Sequence, residues 1–174
     1  TTQNATKQRG LPGSMDDPTW RKGYALLERF EYSFDLQVPY WHLGQAAELA
    51  TDFPKTEIII NHAGLPIGRS DSSIREWRKA IKQVADHQNV TVKLSGLGQP
   101  NQPWSVQSNR EVVLSAIDIF GTDRCMFASN FPVDRLCADL NRIVFGYREI
   151  VDHLPDDVID NLFYKNAARI YHFT

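Results

Sequence analysis

The sequence has little cysteine, no long hydrophobic run and no large excess of either charge. Its two cysteines, Cys125 and Cys137, have neither the spacing of a zinc site nor a reason to pair, so we predict two reduced thiols. No apolar run approaches the roughly 20 residues that a membrane-spanning helix needs. The polar first ten residues also lack the hydrophobic segment of a signal peptide. These absences predict a soluble cytoplasmic protein without membrane partners.

The charge pattern argues against nucleic acid as a partner. The chain has 19 Lys and Arg against 21 Asp and Glu, a net charge of −2, and its basic residues form no extended cluster. With 42% hydrophobic and 23% charged residues, the composition is that of an ordinary globular domain. We therefore expect a globular enzyme, or part of one, that acts on a small molecule.

Short apolar strands alternate with amphipathic helices along the chain. This alternation predicts a parallel sheet with right-handed crossovers. Neither G-x-G-x-x-G nor G-x-x-x-x-G-K occurs, so a β/α barrel is a better interpretation than a doubly wound nucleotide-binding sheet. The predicted strands are 32–38, 57–61, 91–94 and 125–129, and the predicted helices are 19–29, 43–52, 73–87, 109–120, 140–153 and 156–164.

Each predicted strand ends in polar residues. The clearest case is EIIINHAGLP, residues 57–66, in which a buried strand runs into His62 and a glycine turn. The other three strands end near Gln37, Ser95 and Asn130. Because barrel enzymes carry their chemistry at the carboxyl ends of the strands, we predict that these tips share one mouth.

The length of the chain conflicts with a complete barrel. A full (β/α)₈ barrel takes about 250 residues, and this sequence supplies four clear βα units. We predict an α/β fold that forms the C-terminal four βα units of a barrel whose N-terminal half is absent, as one domain over 1–174 with a polar lead-in over 1–18. Since an open sheet has unpaired edges, the chain alone is expected to self-associate, aggregate or pair with the missing half.

Five segments resemble a known family. FDLQVPYWHL, INHAGLP, VKLSGL, CMFASNFPVD and FYKNAARIYHF are similar to the amidohydrolase-related TIM-barrel hydrolases, in particular to the branch with sugar lactonases and 2-pyrone-4,6-dicarboxylate hydrolases. The resemblance covers the chain from about residue 20 onward. It implies that Gln37, His62, Lys93 with Ser95, and Asn130 close barrel strands five to eight. The family's His-x-His pair of strand one has no counterpart in this sequence.

Strand eight departs from the family pattern. Many members carry an aspartate there as metal ligand or base, whereas this chain has Asn130 in SNFP. An amide does not take up a proton at neutral pH and is a poor zinc ligand. The base would then be His62, Asp35 or a residue of the missing half, although a buried Asp35 needs a partner that the sequence does not identify. We predict no tightly bound metal, with a weak or optional divalent ion such as zinc as the alternative in a complete barrel.

The resemblance implies a hydrolase that opens a sugar lactone or a pyrone-type cyclic ester with activated water. Such a reaction needs a base, donors for the oxyanion and an anchor for the substrate. We assign His62 as base or donor, Lys93 as oxyanion stabiliser and Asn130 as the residue that orients water or substrate. A metal-dependent decarboxylase of the same superfamily and a catalytically silent half-barrel are the alternatives.

Substrate binding is assigned to four further residues. Arg69 would anchor a carboxylate or a hydroxyl-rich ring, and Trp104 would stack on a sugar ring from the rim, unless it folds back over the core. Gln37 and Ser95 would contact substrate hydroxyls. Each assignment also has a purely structural alternative, such as a strand-capping His62 or a solvated Arg69.

Overall fold

The sheet contains four parallel strands in chain order. The computed structural model describes residue 11 and residues 13–173, so most of the predicted lead-in lies outside the described residues. The strands are β1 (Phe34–Leu36), β2 (Ile58–Ile60), β3 (Val90–Leu94) and β4 (Cys125–Phe127), hydrogen-bonded in the order β1-β2-β3-β4. In register, Leu36 lies opposite Ile60, Ile60 opposite Val92, and Val92 opposite Cys125. Pairing along both outer strands covers three residues, fewer than the sequence predicted.

The helices follow the predicted alternation, with different ends. Side-chain oxygens of Asp17, Ser70, Ser105 and Asp139 accept hydrogen bonds from first-turn N–H groups and so cap four of the helices. The predicted helix 19–29 is broken at Ala25, and the predicted helix 156–164 continues through a π-helical turn, Asn161–Lys165. None of the described helices combines the length and apolar character needed to cross a membrane. The helices are α1 (Pro18–Tyr24), α2 (Leu26–Arg29), α3 (Leu43–Asp52), α4 (Asp71–Ala85), α5 (Val106–Phe120), α6 (Leu140–Ile150), α7 (Asp156–Asp160) and α8 (Asn166–Ile170).

The two faces of the sheet have different coverings. Because side chains alternate along a strand, the face with Leu36, Ile60 and Val92 packs into the main core, together with the buried rings of Trp77 and Tyr147. The opposite face corresponds to the interior of a barrel. There Ile59 and Met126 are buried with Ile170, and Tyr171 packs against this cluster. The end of the chain therefore covers part of the concave face.

The outer strands β1 and β4 each pair on one side within the described residues. Next to β4, helix α6 exposes Leu140, Val144 and Phe145, and Phe145 is 67% exposed. On the other side of the sheet, α2 and the loop after it expose Leu26 and Phe30. Association through these edges, with a second copy or with further barrel strands, stays a prediction.

Candidate active site

His62 lies directly after β2 in a strained turn. Its backbone is left-handed, with φ of 55°, and Ala63 and Leu65 share this conformation with φ of 50° and 55°. Residues other than glycine seldom adopt it, and it costs free energy that the surroundings must offset. Trp77 of α4 holds the turn, because its indole Nε1 donates to the Ala63 carbonyl at 2.7 Å. The turn holds the half-buried His62 side chain over the end of β3.

Three strand tips meet around Gly96. His62 Nδ1 lies 2.9 Å from Ser95 Oγ, and Ser95 is buried just after β3. A Cβ at Gly96 would lie 2.6 Å from His62 Nδ1 and 3.2 Å from Asn130 Nδ2. Gly96 also has φ of +60°, a conformation that favours glycine. The missing side chain at position 96 therefore leaves the space in which His62 and Asn130 approach each other.

Asn130 is held by a carboxylate that the sequence analysis did not identify. Its backbone is left-handed, with φ of 53°, and its Nδ2 donates to Asp134 Oδ1 at 2.8 Å. Asp134 is 6% exposed and lies in the 3₁₀ turn Val133–Leu136. The sequence does contain a signal for this pair. CMFASNFPVD ends in an acid four residues after Asn130, and this spacing lets the two side chains meet across a turn.

The electrostatic surroundings keep His62 neutral. Burial lowers the pKa of His62, and the charge of Lys93 lowers it further, whereas Asp134 and Asp35 act in the opposite direction. The net result is a pKa below the ordinary value of 6.5. At neutral pH the imidazole is therefore unprotonated, and one of its ring nitrogens is able to accept a proton.

The titration of His62 is the direct measure of this environment. We expect its imidazole signal in the NMR spectrum of the complete protein to titrate with a midpoint below 6.5. Because the folded pKa lies below the unfolded one, the unfolded chain binds the proton first as the pH falls. His62 should thus reduce the free energy of unfolding as the pH drops from about 6.5 through the lower folded pKa. The spectrum of His62→Gln identifies the signal, and a midpoint at or above 6.5 would contradict this picture.

Lys93 points to the barrel interior and is paired there. Its Nζ lies 2.8 Å from Asp35 Oδ1, the hydroxyl of Tyr171 donates to the same oxygen at 2.9 Å, and Nζ lies 5.2 Å from the centre of the Tyr171 ring. Burial lowers the pKa of Lys93, but the hydrogen bonds with Asp35 and Tyr171 and the charge of Asp35 outweigh it and raise the pKa. Lys93 is therefore a cation on the interior face, and it is the partner of Asp35 that the sequence did not identify.

Arg69 does not have the free guanidinium that substrate anchoring requires. Nε donates to Ser108 O, Nη1 donates to Pro66 O and Gly68 O, and Nη2 donates to Leu97 O and Asn109 Oδ1. An arginine has five N–H donors, and these five bonds use all of them. The predicted anchoring role is corrected accordingly: Arg69 ties the loop after His62 to the loop after β3 and to α5.

The predicted rim position of Trp104 is also wrong. Trp104 is 2% exposed, with its ring 5.2 Å from that of Tyr147, and a Cβ at Gly146 would lie 2.1 Å from it. The bare backbone of Gly146 makes room for the indole, so Trp104 folds back over the core. Gln37, by contrast, is exposed immediately after β1, at the predicted strand tip.

The described residues do not form a metal site by themselves. No three His, Cys, Asp or Glu side chains in the described part of the chain are placed to hold an ion together. Catalytic zinc uses three protein ligands and a water molecule. Among the described residues near the strand tips, His62, Asp35 and Asp134 carry such donors, but Asp35 is engaged by Lys93 and Tyr171, and the three do not form a ligand set.

Four parallel βα units whose polar residues gather at the carboxyl ends of the strands form part of a β/α barrel enzyme fold. The chain belongs to the amidohydrolase family, whose sequence model matches residues 7–173. The predicted family and the predicted fold, four βα units of a larger barrel, are thereby confirmed.

Comparison with individual proteins gives the same placement. The chain is 43% identical over 170 residues to the uncharacterized protein y4mH of Sinorhizobium fredii, covering 98% of this chain and 57% of that protein. It is 32% identical over 165 residues to the L-fucono-1,5-lactonase of Burkholderia ambifaria, covering 90% and 56%. The fold matches the crystal structure of an amidohydrolase from Burkholderia multivorans with bound zinc, with a TM-score of 0.88 and 24% identity, covering 97% and 63%. The chain spans about half the length of the curated relatives that it matches.

Proposed function

We propose that this chain supplies the strand-five to strand-eight side of the active site of a hydrolase that opens a lactone by attack of water. The observation that carries the proposal is His62, a neutral imidazole fixed at a strand tip by Ser95 and next to Asn130. The 32% identity to a protein named L-fucono-1,5-lactonase supports a sugar lactone as the substrate class.

His62 acts as the general base in this proposal. If Nδ1–H donates to Ser95 Oγ, the lone pair on Nε2 is free to take a proton from the attacking water. The water oxygen then bonds to the carbonyl carbon, and the carbonyl oxygen becomes an oxyanion. When the ring C–O bond breaks, protonated His62 returns its proton to the departing alkoxide, which leaves a hydroxy acid and regenerates the neutral imidazole.

Lys93 and Asn130 assist the base. The Lys93 ammonium has three N–H donors, and one of them reaches Asp35. Its positive charge stabilises the oxyanion as charge develops in the transition state. The Asn130 amide donates a hydrogen bond from Nδ2 to Asp134, and its Oδ1 remains to accept a hydrogen bond from water or from a substrate hydroxyl.

The test is a substrate panel on the complete protein. Sugar 1,5-lactones, 2-pyrone-4,6-dicarboxylate and hydroxybenzoates are offered separately, and acid release and CO₂ release are both measured. Lactone opening releases a proton without CO₂, and we expect this result for sugar lactones. CO₂ release from a hydroxybenzoate would overturn the proposal in favour of a decarboxylase, and inactivity on every compound would favour a catalytically silent barrel.

We further propose that this activity does not depend on a tightly bound metal. The strand-eight position that supplies a carboxylate in many members of the family is the amide Asn130 in this chain, and an amide is a poor zinc ligand. Lactone turnover is expected to survive exhaustive dialysis against a chelator. Metal analysis by mass spectrometry serves as the control for removal, and stoichiometric zinc in the purified protein together with activity lost on chelation would contradict the proposal.

A further inference from the structure

Asp134 is a buried carboxylate with incomplete hydrogen bonding. Its Oδ1 accepts from Asn130 Nδ2 at 2.8 Å, whereas Oδ2 is buried and has no hydrogen-bond partner among the described residues. Burying such a group is costly unless partners compensate for the lost water. Its backbone is fixed as well, because Asp134 N donates to Asn130 O at 3.2 Å. The side chain is therefore held against Asn130 from both its backbone and its carboxylate.

Glycine keeps the space beside this carboxylate open. A Cβ at Gly98 would lie 3.5 Å from Asp134 Oδ2 and 2.8 Å from Cys137 Sγ. The phenol of Tyr147 is also buried, with no hydrogen-bond partner in the described part of the chain. Burial first, then the charge of Asp134, raises its pKa. The Asp134 carboxylate thus faces a tight pocket and not solvent, so its interaction with Asn130 is not weakened by water.

The bond to Asp134 determines which way the Asn130 amide faces. An ionised carboxylate only accepts hydrogen bonds, so the amide must present its NH₂ group to Asp134 and direct its oxygen elsewhere. Gly96 leaves Asn130 Nδ2 and His62 Nδ1 on either side of the same small space. An amide fixed in this way keeps its NH₂ group next to the imidazole, with one N–H on Asp134 and a second N–H left to donate. A freely rotating amide would present an acceptor in one orientation and a donor in the other.

We propose that Asp134 is a positioning residue of the active site, which fixes the Asn130 amide so that Asn130 and His62 together orient the attacking water. This inference rests on the proposed hydrolysis. Asp134 touches neither water nor substrate in this role and acts through Asn130. The negative charges of Asp134 and Asp35 also favour the protonated form of His62, whereas the positive charge of Lys93 disfavours it.

The test compares Asp134→Asn in the complete protein with Asp118→Asn, an exposed acid on α5. We expect Asp134→Asn to lower kcat by on the order of 10-fold with KM unchanged, since it disturbs orientation and not binding. The midpoint of the His62 titration should move to lower pH, because a favourable charge is removed. Asp118→Asn should change neither kcat nor the midpoint of the His62 titration. The midpoint reports the charge of Asp134 whichever role the residue has, so the kinetic constants decide: an unchanged kcat, or a loss confined to KM, overturns the inference.

A double-mutant cycle shows whether Asp134 acts through Asn130. In an Asn130→Ala background, Asp134→Asn should lower kcat no further, whereas additive losses would overturn the inference. If Asp134→Asn does not fold, the exchange of the pair, Asn130→Asp with Asp134→Asn, retains a donor and an acceptor. It should fold and exceed Asn130→Ala in kcat, and a kcat no higher would count against the proposed role. Absence of lactone turnover in the unaltered protein would refute the proposed function instead, and the His62 titration would still report on Asp134.

Discussion

Replacing His62 by alanine is expected to lower kcat/KM of the complete protein by on the order of 10²-fold or more, the usual scale for a positioned acid-base group. The turn that carries His62 has three left-handed residues other than glycine within 62–65, and the Trp77 indole holds it. The fold therefore maintains an unfavourable backbone in order to hold this side chain against Ser95. Steady-state kinetics on the lactone that is turned over fastest provides the measurement.

A control substitution at a second histidine distinguishes the loss of catalysis from the general effects of removing a histidine side chain. His153 is exposed beyond the end of α6, and His153→Ala should leave kcat/KM unchanged. His62→Ala should retain a cooperative unfolding transition, because the half-buried ring fills no core cavity. If turnover survives in His62→Ala, the base lies elsewhere, and the proposed mechanism fails at its first step.

The sequence predicted the convergence of His62, Ser95 and Asn130 because it depends on simple regularities. Parallel strands place their carboxyl ends at one edge, and the apolar runs before these residues marked the strands. Strand alternation also indicated that Asp35 faces the barrel interior, but it left open whether Lys93 points inward or to solvent. Their pairing could not be predicted, because it joins β1 to β3 across the whole width of β2 and needs Tyr171 from the end of the chain.

The errors concern side chains whose surroundings come from distant loops. Arg69 donates to acceptors of Leu97, Ser108 and Asn109, up to 40 residues away, and the sequence around Arg69 does not predict these contacts. Trp104, in the loop before α5, is buried because Gly146 on α6 leaves room for the ring. A basic or aromatic residue in a polar loop therefore cannot be assigned to substrate or to structure until the facing loops are known.

Introducing a methyl group at Gly96 is expected to remove most activity while the fold is retained. A Cβ at this position would lie 2.6 Å from His62 Nδ1, so Gly96→Ala must displace the imidazole and weaken its bond to Ser95. A displacement of about 1 Å at a reacting group can cost on the order of 10²-fold in rate. The φ of +60° adds strain of roughly 1–3 kcal/mol to the free energy of folding.

Gly121 provides the control that distinguishes displacement of His62 from backbone strain. It has φ of +79°, and nothing lies within 4 Å of where its Cβ would be. Gly121→Ala should therefore lower the free energy of unfolding, measured in urea, without reducing kcat/KM. Gly96→Ala should reduce both and should also move the NMR signals of His62. If Gly96→Ala retained the activity of Gly121→Ala, the space between His62 and Asn130 would have no part in catalysis, and the site would have to be sought away from these strand tips.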